Sequence, residues 1–164
     1  MGLLELPHTP GCLVCGRQNP HGLHLSLHVD PETGRVTTEL TTQPEHIGFE
    51  SVIHGGLIAT VVDEAMVWAA TWRGRRFCLC GELTVRFRRP VEVGQLLRCE
   101  AEVEFSRPKL IQTAAKFTDG SGNLLGTASG KYVPLTPEEN RLVISTFVDE
   151  PETSAAAKML AQVS

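Results

Sequence analysis

The sequence predicts an α+β fold in which an antiparallel sheet wraps around one long central helix, with a short helical extension at the C-terminus. Three observations predict it. Residues 57–72 contain strong helix formers and no Gly or Pro, and apolar residues lie on almost every face of that helix, the pattern of a helix buried all round. Four segments after it alternate apolar and polar residues between short turns, as in an antiparallel sheet with one covered face. Two further alternating segments precede it and read as a hairpin. A sheet with one apolar face and an apolar helix bury each other best in two layers.

Residues 1–22 form an irregular N-terminal segment, punctuated by Pro7, Pro10, Pro20, Gly11, Gly16 and Gly22. It contains Cys12-Leu-Val-Cys15-Gly16. A lone Cys-x-x-Cys is half a zinc site, and His21 and His24, or His8, would have to complete it. The preferred reading is a pair of small buried residues in a tight turn, with no metal. Residues 23–30 alternate Leu23, Leu25, Leu27 and Val29 against His24, Ser26 and His28, which predicts a half-buried strand. A turn at 31–34 leads to a second strand over 35–42, with Val36, Thr38 and Leu40 on one side. Residues 42–53 read as a loop with one helical turn.

The long helix follows His54-Gly55-Gly56, and Gly74 after Arg73 is its expected stop. Strands are then predicted over 77–88, 97–105, 110–118 and 124–134. The composition changes at Thr136-Pro137-Glu138-Glu139, an N-cap with Pro at N1 and acids in the first turn. A helix over 136–148 and a second over 154–163 make a C-terminal tail, 136–164, distinct from the main domain, 23–135. The helix's apolar faces exceed what one curved sheet covers, so a second copy is expected as the cover: a homodimer or a dimer of dimers, that is, a homotetramer.

With 164 residues, 41% hydrophobic and 21% charged, the chain suits one domain with a real core. The net charge of −4 argues against nucleic-acid and acidic-membrane partners. The helix would span only roughly 28 Å at about 1.5 Å per residue and carries two acids, so no membrane span is expected. Residues 1–10 have neither a basic region nor a long apolar run, so no signal peptide is expected. Five scattered cysteines do not make a secreted disulfide framework, and a cytoplasmic location is the expectation.

Asp63 and Glu64 are adjacent acids two turns into the apolar helix. An unpaired buried carboxylate is costly, so the pair marks a candidate site. About 100° separates them around the helix, and they point to different places. The two glycines leave the helix's first N–H groups unobstructed, with the partial positive charge of a helix start. Glycines that merely permit a tight turn fit equally well.

His54-Gly55-Gly56 with Asp63 nine positions after the histidine, its flank Leu57-Ile-Ala-Thr-Val-Val-Asp63-Glu64-Ala65-Met66, and Glu82-Leu-Thr-Val-Arg-Phe-Arg-Arg-Pro90 with Gly94 resemble the hotdog-fold acyl-CoA thioesterases of the phenylacetate-pathway type, in the 4HBT superfamily. The lead-in Cys12-x-x-Cys15-Gly16-x-x-Asn19-Pro20-x-Gly22-Leu23 is similar to that of one branch of them. The resemblance covers roughly residues 12–134. It implies a hydrolase that splits the thioester of an acyl- or aryl-CoA into free acid and CoA, with no cofactor beyond the CoA of the substrate. Asp63 would act as general base or nucleophile. The Gly56 N–H would face the thioester oxygen, beside Gly55, and His54 would contact the thioester or orient the loop. In relatives the helix N-terminus and the acid come from opposite subunits.

Two positions depart from the family pattern. Many relatives carry Asn six residues before the histidine, where this chain has Gly48, so Gln43, His46 or a backbone group must substitute. A position usually Ser or Thr falls on Cys80, which would hold a water or simply pack. For the carrier phosphates, Arg88 and Arg89 at a strand end are the favoured cations, with Arg75, Arg76, Arg86 and Lys109 as further candidates. Glu64 reads as a salt-bridge partner. Met66, Val67 and Trp68 line either the acyl pocket or the core. Three rival functions remain: a hotdog enoyl- or hydroxyacyl-CoA hydratase, a non-catalytic acyl-CoA-binding protein, and a purely structural or interaction protein, which leaves the buried acid unexplained.

Overall fold

The computed structural model of the chain describes residues 2–162. Its centre is α1, Gly55–Gly74. From Val61 to Trp72 only Asp63 and Glu64 escape full burial. The sheet has seven strands: β1 (Leu4–Glu5), β2 (Leu27–Val29), β3 (Val36–Thr41), β6 (Cys78–Phe87), β7 (Leu96–Arg107), β8 (Leu110–Asp119) and β9 (Leu124–Pro134), in the order β1-β2-β3-β7-β8-β9-β6. All neighbours are antiparallel. A separate small hairpin, β4 (Ile47–Phe49) and β5 (Val52–Ile53), delivers the chain to the helix.

The alternating segments became strands because each carries a continuous apolar row for α1. Val36, Leu97, Cys99, Ala101, Ile111, Phe117, Leu125 and Tyr132 are all buried beneath it. The first predicted strand is shorter than expected. Residues 23–26 do not pair as strand, since His24 adopts a left-handed φ of 52° and its ring nitrogen bonds the Asn19 carbonyl at 2.6 Å. The N-terminal segment is not wholly irregular either: β1 adds a strand to the sheet edge beside β2.

The end of α1 differs in one detail. Gly74 is its last residue, and Arg75 takes the left-handed C-cap at φ 56°. Gly74 is a glycine for space, because a Cβ there would lie 2.7 Å from Ile111 Cδ1. Arg75 is held over the Trp72 ring at 4.7 Å.

The helix is covered on its second side by this chain's own ends. Leu6, Val14 and Cys15 from the N-terminal segment and Ala156 and Leu160 from the tail belong to the same core. The tail forms α2 (Pro137–Ile144) and α3 (Ser154–Ala161). Thr136 caps α2 in the expected capping box with Glu139, and Asn140 Oδ1 accepts the Phe77 N–H at 2.7 Å. Arg17 ties the two ends together by pairing with Glu5 and Glu150. The all-round apolar helix is therefore satisfied within one chain, and that argument for a second copy does not hold. What stays open is the edge strand β6. Only Cys78 in it is fully buried, and Leu79 and Phe87 are 58% and 51% exposed.

Candidate active site

Four of the sequence-predicted residues meet at the start of α1. His54 is the N-cap, and its Nδ1 accepts the Gly56 N–H at 2.9 Å. The backbone N–H of His54 donates to the His46 carbonyl at 2.9 Å, and His46 Nδ1 accepts the Gln43 N–H at 3.0 Å. A groove of about 650 Å³ runs alongside, lined by Leu23, Gln43, His46, His54, Gly56 and Leu57 among others. The two candidates for the missing Asn, Gln43 and His46, thus lie in the same groove as His54 and Gly56.

The departure at Gly48 has a steric cause. A Cβ there would stand 3.1 Å from His54 Cα and 3.4 Å from its Cβ. Gly48 and His54 pass too closely for an asparagine side chain without a shift of the loop. At Gly56 a Cβ would meet His54 Nδ1 at 2.9 Å, so that glycine makes room for its own cap. The Gly56 N–H can serve a thioester oxygen only by exchanging its His54 partner for the substrate. Removing the cap should cost stability: His54→Ala is expected to lose about 1 kcal/mol in urea unfolding and His54→Asn to recover most of it.

Asp63 lies two turns further along, half-buried, and its Oδ1 accepts the Tyr132 hydroxyl at 2.7 Å. Tyr132 pairs with Cys80 across β9 and β6, and the register shifts just after Cys80. Such a bulge re-aims side chains. Cys80 adjoins Asp63, and burial together with the Asp63 carboxylate pushes its thiol pKa up. A thiol held protonated is no nucleophile. Burial and the same carboxylate raise the Tyr132 phenol well above its ordinary value, so it stays a donor. Tyr132 is a site residue that the sequence reading missed. Its signal was available: it is the one tyrosine of the chain, at an inward position of an alternating strand.

The cations divide between the two ends of α1. Arg88 and Arg89 follow β6 and line a shallow groove of about 330 Å³ with Gly55, Phe49, Phe87 and Pro90. Arg76 bonds the Leu135 and Pro108 carbonyls, and Arg75 caps the helix, so with Lys109 on the β7–β8 turn they sit at the far end. A 20-residue helix separates the two groups by about 30 Å. Met66 and Trp68 are fully packed core residues at 0% and 2% exposure, and Val67 is buried with them; none lines the groove.

Glu64 makes no salt bridge among the described residues. It points away from Asp63, towards the N-terminal segment. Its Oε1 accepts Trp68 Nε1–H at 3.1 Å and lies 3.9 Å from Cys12 Sγ. Burial first, then the charge of Cys12, pushes its pKa up to about 7. The Cys12 thiol is drawn down to about 5 by hydrogen bonds from the Cys15 thiol and from nearby backbone N–H groups, while Cys15 is pushed up. None of the histidines considered beside the cysteines joins them. His24 bonds Asn19, His21 lines the groove at the helix start, and His8 faces Glu150 at 4.0 Å.

Among the described residues no helix is long and apolar enough to cross a membrane. No curated protein sequence matches the chain. Residues 50–125 match the model of the thioesterase superfamily. Solved structures with a similar fold include a thioesterase superfamily protein at TM-score 0.69 and 22% identity, where the match covers 76% of this chain and 60% of that one. The PaaI protein of the phenylacetic acid degradation operon of E. coli aligns at 0.63 and 17%, covering 70% and 81%. A hypothetical thioesterase protein from Streptococcus pneumoniae, solved with coenzyme A, aligns at 0.59 and 13%, covering 62% and 81%. The chain spans less than two thirds of the first of these. The sheet wrapped on α1 and the likeness to these solved structures make the chain a hotdog-fold protein, and its residues 50–125 are similar to the thioesterase superfamily.

Proposed function

We propose that this chain hydrolyses acyl-CoA thioesters, with Asp63 as the attacking or water-activating group. The observation that carries the reading is the carboxylate itself. It is half-buried on the central helix, with Oδ1 held by the Tyr132 hydroxyl and the Cys80 thiol beside it. As a base, Asp63 takes a proton from water while the hydroxide oxygen bonds the thioester carbon. The oxyanion that forms is met by a helix-start N–H. Its collapse breaks the C–S bond, and the CoA thiolate leaves and is protonated. Direct attack by the carboxylate gives an anhydride that water then opens. A hypothetical thioesterase protein of similar fold was solved with coenzyme A, which supports CoA as the carrier. Arg88 and Arg89, beside the helix start, would take its phosphates.

Gly56 and Asp63 are seven residues apart on one helix, about 10 Å along its axis. One carbonyl cannot touch both. A homodimer joined along the exposed β6 edge resolves this, with the Gly56 N–H of the partner subunit facing a thioester attacked from Asp63. An uncovered ten-residue edge strand carrying Leu79 and Phe87 suits such pairing.

The test is a panel of acyl- and aryl-CoAs followed by loss of the thioester and by chromatography of free CoA, since the protein's own thiols would react with a thiol reagent. Release of CoA is the expected result. Tight binding without release would replace hydrolysis with acyl-CoA binding, and water addition to an enoyl-CoA without CoA release would make the chain a hydratase. Arg88→Ala with Arg89→Ala is expected to raise KM about tenfold with little change in kcat, and the difference should shrink at high salt. An unchanged KM removes both arginines from the CoA site.

A further inference from the structure

We propose that Cys12, Cys15 and Glu64 bind one divalent cation of borderline-soft character, Zn²⁺ by donor chemistry, which pins the N-terminal segment to the middle of the central helix. The donor atoms of these three side chains all lie within 4.8 Å of one another. Tetrahedral Zn²⁺, with Zn–S about 2.3 Å and Zn–O about 2.1 Å, sets S···S at about 3.8 Å and S···O at about 3.6 Å. The observed 3.9 Å between Cys12 Sγ and Glu64 Oε1 is close to that figure before any ion draws the groups in. Water would fill the fourth position beside Cys12, which is only half-buried.

The surroundings hold the Cys12 sulfur and the Glu64 carboxylate in place. The N–H groups of Val14 and Cys15 both point at Cys12 Sγ at 3.4 Å, which orients the sulfur and offsets its charge. Trp68 Nε1–H does the same for Glu64. The Cys12–Gly16 turn is closed by the Gly16 N–H on the Cys12 carbonyl at 3.0 Å. A Cβ at Gly16 would meet the Pro10 and Cys12 carbonyl oxygens, each at 2.6 Å, so only glycine closes it. Leu23 and Leu25 N–H groups clamp the turn through the Leu13 and Val14 carbonyls at 2.9 Å each.

A pair of small buried residues in a tight turn explains the cysteines but not the carboxylate. Glu64 is aimed at two thiols, away from Asp63, with no cationic side chain paired to it among the described residues. A largely buried carboxylate with no cationic partner is costly to keep charged, and a bound cation would offset that cost. The cation would also fix the segment that carries Leu13 and Pro20 to Leu23, which form one wall of the groove at the helix start.

The test uses the full chain purified under reducing conditions without chelator. Metal analysis is expected to find about one zinc per chain, and the stripped protein to take up one Co²⁺ with the intense visible bands of a tetrahedral ion and a sulfur-to-cobalt charge-transfer band. Glu64→Cys should raise the charge-transfer band by about half, from two thiolates to three. Glu64→Gln should weaken Co²⁺ binding by more than about tenfold. The wild-type spectrum does not depend on how any variant folds. Absence of Co²⁺ uptake while all five cysteines titrate as reduced thiols overturns the site. Uptake unchanged in Cys15→Ser overturns it too, because the ion then sits elsewhere.

Discussion

Asp63→Asn is expected to lower kcat for acyl-CoA hydrolysis by about 10²–10⁴-fold, the usual worth of a positioned base, with KM and the unfolding midpoint little changed. The substitution is nearly isosteric, and the Tyr132 hydroxyl can still donate to the amide oxygen, so packing survives. What disappears is the oxygen that accepts a proton or attacks carbon. Tyr132→Phe should act in the same direction but less. It leaves the carboxylate in place without the 2.7 Å bond that holds it, and the lowered kcat should not be accompanied by a raised KM. Hydrolysis at the wild-type rate in Asp63→Asn would remove this acid from the reaction.

Trp68→Ala should be the most destabilising single change, by about 3–5 kcal/mol, read from urea unfolding. Trp68 is 2% exposed at the middle of the helix. Its ring meets Phe77 edge-on at 5.4 Å and Phe147 at 6.0 Å. One side chain thus joins the helix, the entry to β6 and the C-terminal tail. Its indole N–H also holds Glu64 at 3.1 Å, so alanine leaves both a cavity and a buried carboxylate short of a donor. Trp68→Phe keeps most of the volume and should cost less, the difference reporting the lost hydrogen bond. A loss under about 1 kcal/mol in Trp68→Ala would mean that the tail does not pack on the helix.

Most of the architecture is legible in the sequence because two periodicities carry it. The period-2 rows of residues 97–105, 110–118 and 124–134 lie within the strands that form. The unbroken apolar run after His54-Gly55-Gly56 is the central helix, ending within two residues of the expected place. The same periodicity overran at 23–26, where His24 leaves the extended region although its neighbours alternate perfectly. It also misjudged what covers the helix. Leu6, Val14, Ala156 and Leu160 reach the core from the two ends of the chain, and no local pattern records a contact of that sequence separation.

The candidate site divides in the same way. Asp63 stood out because a carboxylate in an all-apolar helix is chemically conspicuous, and Gly56 and His54 because a helix start exposes N–H groups. Their relation did not stand out: the N-cap bond that occupies the Gly56 N–H depends on the His54 side-chain rotamer. The glycine at position 48 looked like a missing asparagine until its closeness to His54 gave it a steric reason. Tyr132 reaches Asp63 from 69 residues away, a contact between β9 and α1 that alternation does not predict.

By itself the sequence determined the layers of this protein, the helix at its centre and the acid on that helix, because burial period and the cost of a buried charge are properties of neighbouring residues. Only the tertiary structure decided what each acid faces. Asp63 meets Tyr132 and Cys80 on the sheet side, and Glu64, one residue on, meets Cys12 and Cys15 from a turn 52 residues earlier. The helix sets the angle between the two carboxylates, but which groups wait there is settled by how distant segments pack around it.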